Sequence, residues 1–322
     1  MASITLTPTR FSAPVQGALY MSAAAAVFAV MVVLVRLATD ELHPFEVAFL
    51  RNLFGLVLMV PWLLRSRLHG LQTRNFKLHT LRGITGLIAM LTWFMALALI
   101  PMGEAVALSF TAPLFATVGA AIVLHEVVRA RRWTATLIGF LGVLLIVRPG
   151  VESLSLGAVL VLVSSMFGAC SALIVKKLSG TDSPGTITTY MVIFLTPLSL
   201  LAALPFWQWP SLEVLAIMLG VGIFGTAGHI FYARAMSLAD ASAVVPYDYL
   251  RLPLVALIGF LAFGEVMDIW GWLGAGVIVV STIYIAHREA VRNREEARRR
   301  AASAAVEAPP LPVAAGAQRH KY

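Results

Sequence analysis

The chain has 322 residues, 59% of them apolar and only 12% charged, with a mean hydropathy of +0.86. That balance excludes a water-soluble domain and makes lipid the solvent: apolar runs of about 20 residues cross the roughly 30 Å hydrocarbon core as helices, and the alternating ten-residue strands of a membrane barrel are not seen. The formal charge of +8 does not point to nucleic acid, since eight of the 24 Lys and Arg lie in residues 288–322 and most others fall in short connections, where membrane orientation places them.

Residues 1–15 are polar and contain Pro8 and Pro14, with Arg10 as the one basic residue. No cleavable signal peptide emerges, and the first apolar run is kept as a span. Breaks at Pro, Gly and charge predict ten spans, at about 16–37, 46–64, 80–99, 103–124, 134–149, 156–176, 185–206, 211–233, 241–263 and 268–287. Arg65, Arg67, Arg74 and Lys77, then Arg129, Arg131 and Arg132, then Lys176, Lys177 and Arg234 mark alternate connections. The intervening ones carry Asp40, Glu41, Glu152 and Asp268, with Arg148 as the exception. A multi-pass protein of the cytoplasmic (inner) membrane with both termini cytoplasmic is expected. Cys170, the single cysteine, lies in an apolar run and forms no intrachain disulfide. Residues 288–322 read as a basic, largely disordered cytoplasmic tail whose cluster suits anionic lipid headgroups or orientation better than nucleic acid.

The two halves repeat. Gly17-Ala18 recurs as Gly157-Ala158 and Pro44 recurs, at the same spacing, as Pro184. At nearly that spacing again, Ala96–Glu126 is matched by Ala235–Glu265. Both latter segments hold Ala-Val, a mid-span Pro (Pro113, Pro253) and a closing Glu (Glu126, Glu265). The expected fold is all-α and integral to the membrane: ten transmembrane helices as two five-helix repeats, residues 16–149 and 150–287. Five is odd, so the second repeat enters inverted, an architecture that binds solute near midplane.

Asp248 and Arg251 lie deep in oily sequence, three apart and therefore on one helical face. Such charges face a bundle interior or a water-filled path, and Tyr247 and Tyr249 add phenolic donors. They form a solute site or pin one helix to its neighbour. Arg51, in the second span with Glu46 five positions before it, attracts an anionic or zwitterionic solute or serves as an interhelical pin. His229 suits proton coupling by its near-neutral reference pKa, or is a buried, hydrogen-bonded histidine. Trp93, Phe94, Phe231 and Tyr232 offer stacking surfaces for a planar solute or ordinary packing. Glu104 opens the fourth span, where a carboxylate caps a helix N-terminus or takes part in gating. Glu126 and Glu265 read as helix-end or gating groups, and Pro113 and Pro253 as kinks or hinges. Gly220–Gly225 formally fits a nucleotide-binding glycine pattern but follows no strand; His125-Glu126 lacks a second His for zinc; no P-loop occurs. No cofactor, metal site or catalytic residue is expected.

With these residues in view, the chain resembles the drug/metabolite transporter superfamily, EamA type. The resemblance covers about residues 16–287 and rests on the doubled five-span unit, on Pro113-x-Phe115-x9-His125-Glu126 and on its partner Pro253-x-Val255-x9-Glu265. Arg51-Asn52 resembles the arginine such proteins carry in the second span, with Met191 at the equivalent place in the second repeat. Tyr247–Pro253, YDYLRLP, resembles a branch that includes uptake proteins for S-adenosylmethionine and riboflavin. The resemblance implies alternating access without ATP hydrolysis. The expected activity is secondary transport of a small polar organic metabolite, amino-acid-like or heteroaromatic, with Arg51, Trp93, His229, Tyr232, Tyr247, Asp248 and Arg251 lining its path. Expected partners are that solute, membrane lipid and, through His229 or Asp248, a proton. The rival readings are an intramembrane lipid-modifying enzyme, which needs a nucleophile with its base or a metal cluster, and a non-transporting membrane scaffold.

Overall fold

The computed structural model describes residues 13–65, 71–123, 130–148, 155–239 and 244–281, with isolated positions beyond. The amino-terminal segment 1–12, Glu126 and most of the 288–322 tail lie outside the described residues. The described elements are helices: α1 Ala13–Ala38, α2 Pro44–Arg65, α3 Phe76–Leu99, α4 Met102–Ser109, α5 Ala112–Val123, α6 Ala130–Val147, α7 Leu156–Leu178, α8 Pro184–Ala203, α9 Leu212–Leu238, a 3-10 turn Val245–Leu250 continued by α10 Arg251–Phe263, and α11 Ile269–Ser281. Seven of these stretches are long and apolar enough to cross a membrane, and the shorter apolar helices account for the remaining predicted spans.

Helix starts follow from local chemistry. Ser155, Ser183 and Ser211 each accept a hydrogen bond from the backbone N–H three residues on, at 3.1, 3.1 and 3.2 Å, satisfying a donor that the first helical turn leaves unpaired. At α2, Pro44 takes the first helical position and the Glu46 carboxylate reaches back to the His43 N–H at 3.1 Å, the reciprocal half of a capping box. Spans four and nine, predicted as single helices, are instead interrupted. Phe110 and Thr111 separate α4 from α5, and the 3-10 turn precedes α10. Each interruption falls just before the mid-span proline, whose ring cannot accept a continuous helix on its N-terminal side.

The principal packing pairs α1 with α9, α3 with α7 and α2 with α8; α2 also meets α9 and α3 meets α8. The Val245–Phe263 segment lies against α1, and α4 and α5 lie against α7. Exchanging the two halves of the chain maps each of these pairings onto another or onto itself. The exchange extends to single hydrogen bonds. Arg36 Nη1 donates to Leu97 O at 2.8 Å, and Lys176 Nζ, its counterpart in the second half, donates to Met236 O at 3.0 Å. Met21, Val32, Phe94, Leu97, Met102 and Met218 are fully enclosed in the resulting core.

Candidate functional site

Charged side chains buried inside this bundle are few, so their positions are informative. Arg51 on α2 is buried, with 3% of its surface exposed. Its Nη1 donates to Asn52 Oδ1 at 2.7 Å, and Asn52 Nδ2 in turn reaches Ser199 Oγ on α8 at 3.2 Å and Met90 Sδ on α3 at 3.4 Å. Space for the guanidinium comes from Gly225 on α9, where a Cβ would stand 2.9 Å from Arg51 Nε. Glu46, the carboxylate that sequence places near Arg51, is turned away: it is buried and accepts from the backbone N–H groups of His43 and Gln208, tying α2 to the 204–211 connection.

A second arginine, which sequence reading did not single out, lies on α3. Arg82 is 5% exposed, donates to Ile187 O at 3.3 Å and reaches Met191 Sδ on α8 at 3.4 Å, and its Nε is buried without a hydrogen-bond partner. Span three was predicted to begin at residue 80, which puts Arg82 at a membrane edge where long cationic side chains normally snorkel. The helix in fact begins at Phe76, so Arg82 lies about 9 Å along it. Arg51, Arg82 and His229 interact electrostatically, and Tyr232 lies within electrostatic range of Arg82, Asp248 and Arg251.

Asp248 and Arg251 form the expected pair, Arg251 Nη2 to Asp248 Oδ2 at 3.0 Å. Arg251 also lies over the Phe110 ring, its guanidinium carbon 5.6 Å from the centroid. Phe110 packs edge-on against Tyr249 at 4.8 Å, so the interruptions of spans four and nine touch one another through aromatic side chains. Cation–π contact of this kind stabilises the guanidinium most where water is scarce. His229 packs edge-on against Phe28 at 5.2 Å. His229 and Tyr232 both keep part of their surface exposed.

The other predicted residues are distributed differently. Trp93 packs half-buried against the main core. Tyr247 is 44% exposed on the 3-10 turn, outside the cluster that Asp248 and Arg251 join. Glu104 lies in the first turn of α4, Pro113 in the first turn of α5 and Pro253 in the first turn of α10. Glu265 Oε2 accepts from the Met102 N–H at 2.8 Å, and Oε1 lies 3.7 Å from Arg36 Nε. Gly264, at φ 64°, ends α10 in the left-handed conformation that glycine adopts without a Cβ penalty, which turns Glu265 back toward α4.

At the opposite end, His79 Nε2 and Asp182 Oδ2 are 2.9 Å apart, Thr73 Oγ1 donates to the same carboxylate oxygen at 2.9 Å, and His79 stacks on Tyr190 at 4.4 Å. Sequence reading passed over this cluster because His79 and Asp182 are far apart in the chain and sit beside basic connections. A cavity of about 340 Å³ lies elsewhere, between α4, α10 and the approach to α11, and takes in Pro101, Pro253 and Glu265. Its walls include Leu257 and Phe260, both more than half exposed, so it is an apolar groove on the bundle's flank rather than part of the polar centre.

The described polar centre holds three guanidiniums, a carboxylate, an imidazole, phenols and an amide. The EamA-like transporter family model matches residues 15–148 and again residues 155–286. The chain is 37% identical over 288 residues to a riboflavin transporter of Vibrio cholerae, covering 88% of this chain and 97% of that protein. A riboflavin transporter of Rhizobium johnstonii is 33% identical, with 92% and 98% covered, and an S-adenosylmethionine uptake transporter of Rickettsia prowazekii is 28% identical, with 77% and 85% covered. A solved crystal structure superposes with a TM-score of 0.59 at 18% identity, over 86% of this chain and 98% of that one, which speaks to the fold alone. The chain therefore belongs to the EamA-like transporter family and is a membrane transporter of small metabolites rather than an enzyme.

Proposed function

We propose that this protein is a secondary active transporter that moves a polar heteroaromatic metabolite across the cytoplasmic membrane by alternating access. The observation that carries the reading is the gathering of Arg51, Arg82, His229, Tyr232, Asp248 and Arg251 inside an otherwise apolar bundle, beside the aromatic contact of Phe110 and Tyr249. Charges of this kind cost about 2.5–3.5 kcal/mol each at the centre of a membrane helix, so a bundle that carries them has a use for them. Relatives named for riboflavin and S-adenosylmethionine transport support a solute with a planar nitrogen heterocycle. Trp93, Tyr247 and Tyr249 supply candidate stacking faces.

The two repeats, residues 16–149 and 150–287, are inverted relative to each other in this reading. Support comes from the exchange symmetry of the helix pairings and from the double match of the family model. Residues 1–15 and the 288–322 tail lie in the cytoplasm, in keeping with the basic 65–77 connection and the basic tail. Glu104, Glu126 and Glu265 act at the helix ends that open and close, with Pro113 and Pro253 at the bends. Proton coupling through His229, or through His79 and Asp182, belongs to the same reading.

The test is flavin transport by the purified protein in liposomes, with and without an imposed pH gradient. Saturable riboflavin flux that is lost in Arg251→Ala, while the variant keeps its melting temperature, is the expected result. Flux that Arg251→Ala leaves unchanged returns that residue to a helix-pinning role. No flux or binding for flavins and S-adenosylmethionine alike rejects the solute class.

A further inference from the structure

We infer that Arg51 and Arg82 together form a binding centre for an oxyanion, a carboxylate or phosphate group carried by the transported solute. The inference rests on the transport reading above and narrows its solute to an anionic or zwitterionic one.

The argument starts from charge balance. Arg51 and Arg82 are 3% and 5% exposed, and a guanidinium stays protonated under all ordinary conditions. Buried charges are normally paired, because an isolated ion away from water carries a large desolvation penalty. Three carboxylates of the bundle are already engaged elsewhere: Glu46 with two backbone N–H groups, Asp182 with His79 and Thr73, and Asp248 with Arg251. Among the described residues, no carboxylate lies within ion-pairing distance of Arg51 or Arg82.

What the two arginines do have is weak or partial. Arg51 holds one amide oxygen; Arg82 holds one carbonyl at 3.3 Å and a thioether sulfur at 3.4 Å, and its buried Nε has no acceptor. A guanidinium has five N–H donors in a planar fork that matches two oxygens of a carboxylate or phosphate. Arg82 Nε is therefore left without an acceptor from the protein, and neither guanidinium meets a two-oxygen partner within it. Arg82 meets α8 directly at Ile187 and Met191, whereas Arg51 is linked to that helix only through Asn52, farther along at Ser199. A helix-pinning role would leave two like charges that act on each other in low-dielectric surroundings uncompensated, whereas an oxyanion that reaches them offsets that charge.

Four compounds in two matched pairs decide the matter in purified protein. Riboflavin and its 5′-phosphate differ in a phosphate; S-adenosylmethionine and its decarboxylated form differ in a carboxylate. The expected result is at least tenfold tighter binding of the anionic member of one pair. Preference in the flavin pair assigns phosphate, and in the adenosyl pair carboxylate. That preference should vanish in Arg82→Gln and in Arg51→Gln. If a Gln variant does not fold, Arg82→Lys keeps the charge but not the fork, and should reduce the preference by several-fold.

Equal binding of both members of each pair overturns the oxyanion centre while leaving transport of a heteroaromatic solute standing. A preference that survives in the folded Arg82→Gln variant also overturns it. If none of the four binds, the heteroaromatic reading fails, and inorganic phosphate and acetate decide the centre alone. Thermal stabilisation of the wild type but not of Arg82→Gln upholds it, and stabilisation of neither sinks it.

Discussion

The least conspicuous residue at the centre, Gly225, sets where Arg51 can lie. A Cβ at this position would stand 2.9 Å from Arg51 Nε and 3.1 Å from Met31 Sδ, so Gly225→Ala forces the guanidinium aside. Overpacking of this kind costs about 1–3 kcal/mol, and solute affinity should fall by roughly tenfold if the arginine is a ligand. Gly222→Ala is the control, since its Cβ would meet Phe54 rather than Arg51. Both variants should lose melting temperature in detergent, but only Gly225→Ala should lose solute affinity. Equal affinity in the two would remove Arg51 from the binding surface.

Elements carry their own dependence on conditions, and the start of α2 is the clearest case. His43, in the connection before that helix, stacks on Phe206 with ring centroids 3.8 Å apart, and its Nδ1 accepts from the Phe45 N–H at 3.3 Å. Desolvation lowers its pKa from 6.5, against the opposing pull of the Glu46 carboxylate. A histidine held below its unfolded value binds fewer protons in the folded state. Its contribution is therefore complete above about pH 6.5 and declines as pH falls through that value. Acidification also takes away the Nδ1 acceptor, because a protonated imidazole only donates. Thermal melts should show a lower melting temperature at about pH 5.5 than at about pH 7.5, with a smaller difference in His43→Gln. An identical pH response in the variant would assign the effect elsewhere.

Across the whole molecule, two clasps at opposite ends of the bundle resemble each other. At one end Arg36 reaches Leu97 O and Glu265, and Glu265 holds the start of α4. At the other, Lys176 Nζ donates to Met236 O and Ala239 O at 3.0 and 2.8 Å, satisfying carbonyls at the end of α9. If alternating access opens these ends in turn, weakening one clasp should bias the protein toward that side. In a Cys170→Ala background with Tyr232→Cys as reporter, Lys176→Ala should raise labelling by an impermeant maleimide several-fold from one face of the membrane. Arg36→Ala should raise it from the other face. Unchanged labelling in both would make the clasps fastenings rather than gates.

Hydropathy and the recurrence of one half in the other belong to the chain itself, so an all-helical membrane fold and the family were legible from sequence. The Asp248–Arg251 pair was legible too, because two charges three apart on a helix share a face wherever that helix packs. Which residues meet across helices was not. The helices here are apolar almost all round, so no polar stripe reveals how each is rotated about its axis. Rotation and crossing brought Arg82 of α3 near Arg51 of α2, turned Glu46 from Arg51 to the backbone of the 204–211 connection, and left Tyr247 half exposed. Tertiary packing likewise set the breaks of spans four and nine against each other at Phe110 and Tyr249. A buried charge shows in a sequence as a residue type; whether it has a partner is decided by the helices that surround it.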